Sequence, residues 1–489
     1  IAESPREKGL IWAGTNDGLV QLTRDNGATW TNVTANIPNL PVWGSVRSIV
    51  PSKYDSGTAY LTVDFHQMNN RDPFVYRTAD YGKTWKSITN GIPRSNLSYA
   101  KVIAEDPVRR GLLYLGTENA IYVSYDAGDQ WLSLQNDLPQ APVSGIVVQE
   151  HFNDLVISTY GRGFYILDDL APIQQLTSEV MASASHLFVP RAAYRFRTIT
   201  SPSSSYDDPT TGEDPQYGAS INYYLKAPAA QAPRITILDA SGRTVRTLTG
   251  TNVAGINRIA WDLRDEPGAE TRLLTSPMYA PHIAVGPEGR VAPGTGRMSV
   301  LVAPGMYTVQ LSVGDVVSSR PLEVRKDPNT AGSVADIGEQ VRLLEALRVE
   351  MNAGAAAVGR IESVRVQLDA LSRTTTDAEV RRAAAALGAR LVDLEMNLVD
   401  LRQTGTGQDG VRFGSKLIAK LGYLGNGLAG GDFKPTDQQV EVQGILKEQM
   451  RTHLTAIESV LGPDLSALNA MLRAKGVPNV IGGNPPVVP

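Results

Sequence analysis

The sequence predicts a multidomain chain of three parts: an all-β propeller region, an immunoglobulin-like (Ig-like) β-sandwich and a C-terminal α-helical bundle. Three observations predict it. One turn motif recurs at intervals near 50 residues over the first 170 positions, the period of propeller blades. Short strand-like runs between turn residues follow, at the spacing of a sandwich. From Asp327-Pro328 onward the composition shifts to Ala, Leu, Glu and Arg, with apolar residues at helical spacing. The expected boundaries are 1–172 for four blades, 173–327 for the sandwich, 328–480 for an antiparallel bundle and 481–489 for an extended tail.

Bulk properties narrow the function. The 489 residues are enough for about three domains. With 46 basic and 50 acidic residues the net charge is −4, which argues against a nucleic-acid-binding surface. No apolar run approaches the ~18 residues of a membrane span. Cysteine is absent, which excludes disulfides, thiolate metal sites and cysteine nucleophiles.

The repeat reads Ser/Thr-x-Asp-x-Gly-x-x-Trp. It occurs as Thr23-x-Asp25-x-Gly27-x-x-Trp30, Thr78-x-Asp80-x-Gly82-x-x-Trp85 and Ser124-x-Asp126-x-Gly128-x-x-Trp131. A fourth unit, ending Gly161-Arg162-Gly163-Phe164-Tyr165-Ile166-Leu167-Asp168-Asp169, keeps the strand but lacks the Gly and Trp of the motif. Asp and Ser/Thr side chains hold tight turns through backbone hydrogen bonds. Gly supplies a positive φ, and Trp is expected to pack between blades. Blade three shows the expected strands: 99–104, 112–116, 121–124 and 131–134.

This motif resembles the Asp-box (BNR repeat) of sialidase-like propellers, including sortilin-type receptors, xyloglucan-degrading glycosidases and a photosystem II assembly factor. The resemblance identifies the blade and implies no activity. It gives Asp25, Gly27, Trp30, Asp80, Gly82, Trp85, Asp126, Gly128 and Trp131 structural roles.

The first residues, Ile1-Ala2-Glu3 through Gly14-Thr15, match Ile103-Ala104-Glu105 through Gly116-Thr117 at a constant offset. Residue 1 is thus expected near the end of an inner strand. The expectation is a C-terminal part of a larger propeller, with an N-terminal part of the same protein as the partner that supplies further blades.

In the middle third, strands are expected at 219–225, 234–238, 244–248, 255–263, 305–313 and 320–324, after a polar turn-rich loop at 201–218. The phrase Ile235-x-Ile237-x-Asp239-x-x-Gly242-x-x-Val245-Arg246-x-Leu248, with Trp261 and Tyr307, resembles the Ig-like module of flagellar hook-capping proteins. In the last third, Val341, Leu344, Leu347, Ile361, Val364, Leu368 and Leu371 keep helical spacing. Asp377 and Thr436 are expected caps of a second and a long later helix. A short helix is expected near 413–424, and Pro463 is expected to start the last. The helical region could also join copies of the chain. The whole order resembles bacterial secreted proteins labelled glycosyl hydrolase or sortilin-related repeat proteins. That resemblance implies an extracytoplasmic setting: periplasmic, secreted or cell-surface.

Chemistry is expected on the propeller face opposite the motif turns, where the loops between second and third strands gather. Candidate catalytic acids are Asp17, Asp64 and Glu118, for hydrolysis by paired carboxylates. Candidate binding residues are His66, Asp72, Tyr160 and Arg162. No nucleotide loop, cofactor or metal site is expected. The favoured reading is a binding or scaffold protein whose propeller face takes a glycan or a protein. A glycoside hydrolase and a structural subunit of a cell-surface assembly are the alternatives.

Overall fold

A computed structural model describes residues 1–197 and 214–483. The polar loop expected at 201–218 lies outside the described residues up to 213, as does the tail from 484.

The first region is a series of antiparallel meanders. Blade one contains β1 (Ala2–Glu3), β2 (Ile11–Gly14), β3 (Val20–Thr23) and β4 (Thr31–Asn32). Blade two contains β5 (Ser45–Pro51), β6 (Ala59–Asp64), β7 (Phe74–Thr78) and β8 (Lys86–Ser87). Blade three contains β9 (Ala100–Glu105), β10 (Leu113–Thr117), β11 (Ile121–Ser124) and β12 (Leu132–Ser133). The fourth unit has three strands, β13 (Val143–Gln149), β14 (Asp154–Thr159) and β15 (Phe164–Leu167). Each sheet pairs its strands in sequence order. Two short helices follow, α1 (Ala171–Gln175) and α2 (Ser178–Ala182).

Beyond them, β16 (Ser185–Leu187), β18 (Ala219–Leu225) and β21 (Gly255–Trp261) form one sheet. A five-stranded sheet has the order β17-β25-β24-β19-β20, from β17 (Ala193–Arg195), β19 (Arg234–Leu238), β20 (Thr244–Thr249), β24 (Gly305–Val313) and β25 (Val316–Lys326). Here β17 joins β25 in parallel and the other pairings are antiparallel. A small ribbon pairs β22 (Arg272–Leu273) with β23 (Arg290–Val291). The helices are α3 (Val334–Thr374), α4 (Ala378–Leu398), α5 (Asp409–Arg412), α6 (Leu417–Leu428), α7 (Asp437–Ser459) and α8 (Leu465–Ala474).

The chain divides into two compact units. The first is Ile1–Arg191 with Asn222–Pro228 and Val253–Asn257; the second is Ala192–Ile221, Ala229–Asn252 and Arg258–Pro489.

In the first unit, successive blades bury apolar faces against one another. Trp12, Leu22, Leu61 and Phe65 form the core of blades one and two. Tyr60, Ile88, Leu115 and Trp131 do so for blades two and three. Tyr114, Val123, Ile146 and Leu155 do so for blades three and four. This stacking gives the region its propeller character. Close approach is needed at two equivalent glycines of the second strands. A Cβ on Gly14 would lie 2.2 Å from Val46, and one on Gly116 would lie 2.5 Å from Val143. Both valines belong to the inner strand of the following blade.

The motif turns are built alike. In blade one, the Thr23 hydroxyl donates to Asp25 at 2.8 Å and accepts from the Gly27 amide at 2.9 Å. Asp25 accepts from the Thr29 amide at 2.8 Å and the Thr29 hydroxyl at 2.6 Å. These bonds, the Thr29 hydroxyl foremost, lower the Asp25 carboxyl to about 2. Blade two repeats the set with Thr78, Asp80, Gly82 and Thr84, and blade three with Ser124, Asp126, Gly128 and Gln130. The residue before each motif Gly is also left-handed: Asn26, Tyr81 and Ala127 have φ of 60°, 62° and 59°. Two successive positive-φ residues suit a tight turn of type I′.

The motif tryptophans differ from the expectation of uniform packing. Trp85 and Trp131 are buried, whereas Trp30 is 42% exposed. The Trp85 ring meets Trp12 of the preceding blade edge-on, with centroids 5.8 Å apart. Trp131 Nε1 donates to the Ile88 carbonyl of the preceding blade at 2.7 Å.

In the second unit a large core packs helices α3, α4, α6, α7 and α8 with Leu273, Ala292 and Val300. Buried Ile337, Val341, Leu344, Leu347, Met351, Val358, Ile361, Val364 and Leu368 keep three- and four-residue steps along α3. Ser333 and Asp336 form a capping box at its start, as Thr436 and Gln439 do for α7. Asp377 caps α4 through the Glu379 and Val380 amides. The short helix starts at Leu417 rather than near 413, and Pro463 lies inside a π-helical turn (Val460–Asp464) rather than opening α8.

Within this core Arg365 lies between two buried carboxylates, Glu362 and Glu395. Glu362 also accepts from the Thr275 amide at 2.7 Å and its hydroxyl at 2.9 Å. Burial, reinforced by the neighbouring Glu362 charge, pushes Glu395 well above its ordinary value of 4.5. The folded state therefore holds this proton more tightly than the unfolded chain. Its stabilising effect is full below 4.5 and is lost as pH climbs through the raised folded value. Glu395→Gln is expected to gain in urea midpoint relative to wild type from about pH 5 to about pH 8. Wild type gaining over the variant in that range would contradict this.

Candidate functional site

The site is organised by a β-bulge that recurs on the inner strands. An extra residue interrupts the β5–β6 register between Val46 and Ser48, and the β13–β14 register between Val143 and Gly145. In blade three the shift is at the β10 end, where Val102 pairs with Gly116 and Ala100 with Thr117. The extra residues are Arg47, Lys101 and Ser144. Bulges re-aim a side chain and are frequent beside functional sites.

Each bulged residue reaches its own blade's second strand or the loop that follows it. Arg47 Nε donates to Asp64 Oδ2 at 3.2 Å. Lys101 Nζ lies 2.6 Å from Glu118 Oε2. Ser144 Oγ donates to the Ser158 carbonyl at 3.1 Å. One offset of 54 residues relates both Arg47 to Lys101 and Asp64 to Glu118, so the two ion pairs are equivalent constructions in successive blades. Thr62 ties them together, its hydroxyl donating to the Lys101 carbonyl at 3.1 Å.

Asp64 is the hub. Its side chain is 1% exposed, and it accepts from the His66 amide at 2.9 Å. His66 Nδ1 lies 2.8 Å from both Asp64 oxygens. A carboxylate only accepts, so Nδ1 carries a proton and Nε2 is the ring nitrogen turned away from Asp64. The His66 side chain is 32% exposed. The His66–Met68 3₁₀ turn that carries it ends on left-handed Asn69. The imidazole stacks on Tyr99, with centroids 4.9 Å apart and planes 18° apart. Burial, then the hydrogen bond to Glu118, pushes the Tyr99 hydroxyl above its ordinary value. Lys101 Nζ sits 5.7 Å from the Tyr99 centroid, within cation–π range. The arrangement runs Arg47–Asp64–His66–Tyr99–Glu118–Lys101.

Of the residues expected from sequence, Asp64, His66 and Glu118 come together here. Asp17 is exposed and bonded locally by the Thr15 hydroxyl. Asp72 is 3.6 Å from Arg94 at the surface. Tyr160 is 79% exposed, and Arg162 is exposed with no ion pair among the described residues. Arg47, Tyr99 and Lys101 were not among the expected residues, although the 54-residue offset marks Arg47 and Lys101 as an equivalent pair. The described residues contain no group of three His, Asp or Glu placed to hold a metal. No helix among them is long and apolar enough to cross a membrane.

No protein-family model matches the chain, and no curated protein does. Solved structures similar to it include YCF48 from Cyanidioschyzon merolae, at 13% identity and TM-score 0.23, covering 67% of this chain and 83% of that one. YCF48 bound to D1 peptide is similar at 13% identity and TM-score 0.23, covering 63% and 78%. A GH74 xyloglucanase from Xanthomonas campestris is similar at 13% identity and TM-score 0.28, covering 65% of this chain and 44% of its own.

Proposed function

We propose that this chain is a binding or scaffold protein whose propeller face takes a glycan or protein partner at the His66–Tyr99 cluster. The observation that carries the reading is the pairing of Asp64 with Arg47 and His66, and of Glu118 with Lys101. Two of the three candidate acids, Asp64 and Glu118, are held in ion pairs, which favours binding over hydrolysis. Hydrolysis needs one carboxyl protonated as acid and another free as base or nucleophile. The paired groups instead make a fixed polar surface around a stacked aromatic pair, with His66 Nε2 and the half-exposed Arg47 available to a ligand.

The finer assignment follows the sequence resemblance: Asp-box blades, an Ig-like module around the five-stranded sheet, and an extracytoplasmic setting. Further blades of the same protein are proposed to pack on the outer face of the fourth unit. There Val147, Phe164 and Ile166 are 63%, 78% and 61% exposed, on the face opposite the one buried against blade three.

The test uses the full chain on a glycan array and a peptide array. His66→Ala is expected to weaken the selected ligand at least about tenfold, or ~1.4 kcal/mol, with thermal unfolding unchanged. Binding to nothing on either array, or binding within about twofold of wild type by His66→Ala, would contradict the reading.

A further inference from the structure

The second unit contains a cavity of about 340 Å³ lined by four arginines, Arg195, Arg197, Arg264 and Arg297. Among the described residues one carboxylate, Asp432, forms ion pairs with any of the four, and it serves both Arg195 and Arg197. Guanidinium groups stay charged at any ordinary pH. The cavity wall therefore carries a clear excess of positive charge.

The four arginines divide by role. Arg195 and Arg197 have most of their donors engaged. Arg195 Nε donates to the Val302 carbonyl at 2.8 Å. Arg197 donates to Asp432 at 2.6 and 2.9 Å and to the Gly431 carbonyl at 2.8 Å. They supply a fixed positive field. Among the described residues the Arg264 side chain has one bond, Nη1 to the Ser299 carbonyl at 2.7 Å, and the Arg297 side chain has one, Nε to the Gly268 carbonyl at 3.0 Å. Their remaining N–H groups have no partner among the described residues and can grip an oxyanion, the geometry for which guanidinium is suited. The rest of the wall is partly apolar, with Val300, Leu344 and Met351. The volume is in the range of small-molecule sites.

We propose that this cavity binds a small organic anion, with a carboxylate or phosphate head held by Arg264 and Arg297 and an apolar body against Leu344 and Met351. Isothermal titration of the full chain with phenyl phosphate, hexanoate and inorganic phosphate tests it. At least one organic anion is expected to bind about tenfold tighter than inorganic phosphate. The tighter of the two identifies the head group. The double variant Arg264→Gln, Arg297→Gln is expected to weaken that binding at least about tenfold, with the unliganded unfolding curve unchanged. Both side chains are solvent-exposed, so the fold does not depend on them. Three results would overturn the proposal: no millimolar binding of either organic anion, equal binding by the double variant, or inorganic phosphate binding as tightly as both.

Discussion

Asp432→Ala is expected to cost about 3–5 kcal/mol of folding free energy, the range found when one partner of a buried ion pair is removed. The Asp432 side chain is fully buried and the Arg195 side chain 1% exposed. Burial lowers the Arg195 pKa and Asp432 opposes this. Removing the carboxylate leaves a buried cation beside Arg197, a second positive charge. The backbone carbonyls of Val302 and Leu301 supply dipoles but no counter-charge. Urea unfolding followed by helical circular dichroism reads the loss, because the helices report on the unit that holds the pair. A surface control is Arg373→Ala, which removes an ion pair whose side chains are 75% and 57% exposed and is expected to change stability by less than about 1 kcal/mol. A loss below about 1 kcal/mol for Asp432→Ala would mean that the buried arginine is balanced without it.

The second large effect separates three copies of one motif. Trp131→Ala is expected to cost about 3–5 kcal/mol, as for a large buried aromatic. It removes a ring packed with Tyr60 and Ile103 and a hydrogen bond to the Ile88 carbonyl. Trp85→Ala should fall in the same range, since Trp85 is 7% exposed and meets Trp12. Trp30→Ala should cost about 1 kcal/mol or less, because its ring is 42% exposed. Thermal and urea unfolding of the three variants would show this order. Equal losses at all three positions would contradict packing against the preceding blade as the source of the motif's stability.

The regular elements were readable because their periodicities are local. Strands at Ala219–Leu225, Arg234–Leu238 and Gly305–Val313 match their apolar runs residue for residue. The Asp377 and Thr436 caps follow from side chains that satisfy free amides at a helix start. The strand Ala193–Arg195 was not readable, because three residues carry no period and their pairing with Val324–Lys326 is remote in sequence. The π-helical turn at Val460–Asp464 was hidden for a related reason. Pro463 usually opens a helix, and here α7 runs nearly into α8 around it.

The site was half legible. Asp64, His66 and Glu118 could be placed on one face by counting from the motif. Their fixed partners could not, because a bulge leaves no signature in residue type. Only the register shows that Arg47 and Lys101 are the extra residues of their inner strands. The stacking of His66 on Tyr99 joins blades two and three, and no single-blade pattern announces it.

The central claim is that ligand engages the His66–Tyr99 cluster. The chain has five histidines, His66, His151, His186, His282 and His453, which makes histidine-selective NMR the direct test. With ring-labelled histidine and the array-selected ligand at saturation, the His66 resonance is expected to shift while the other four stay in place. A His66 resonance that remains fixed at saturating ligand would contradict the claim.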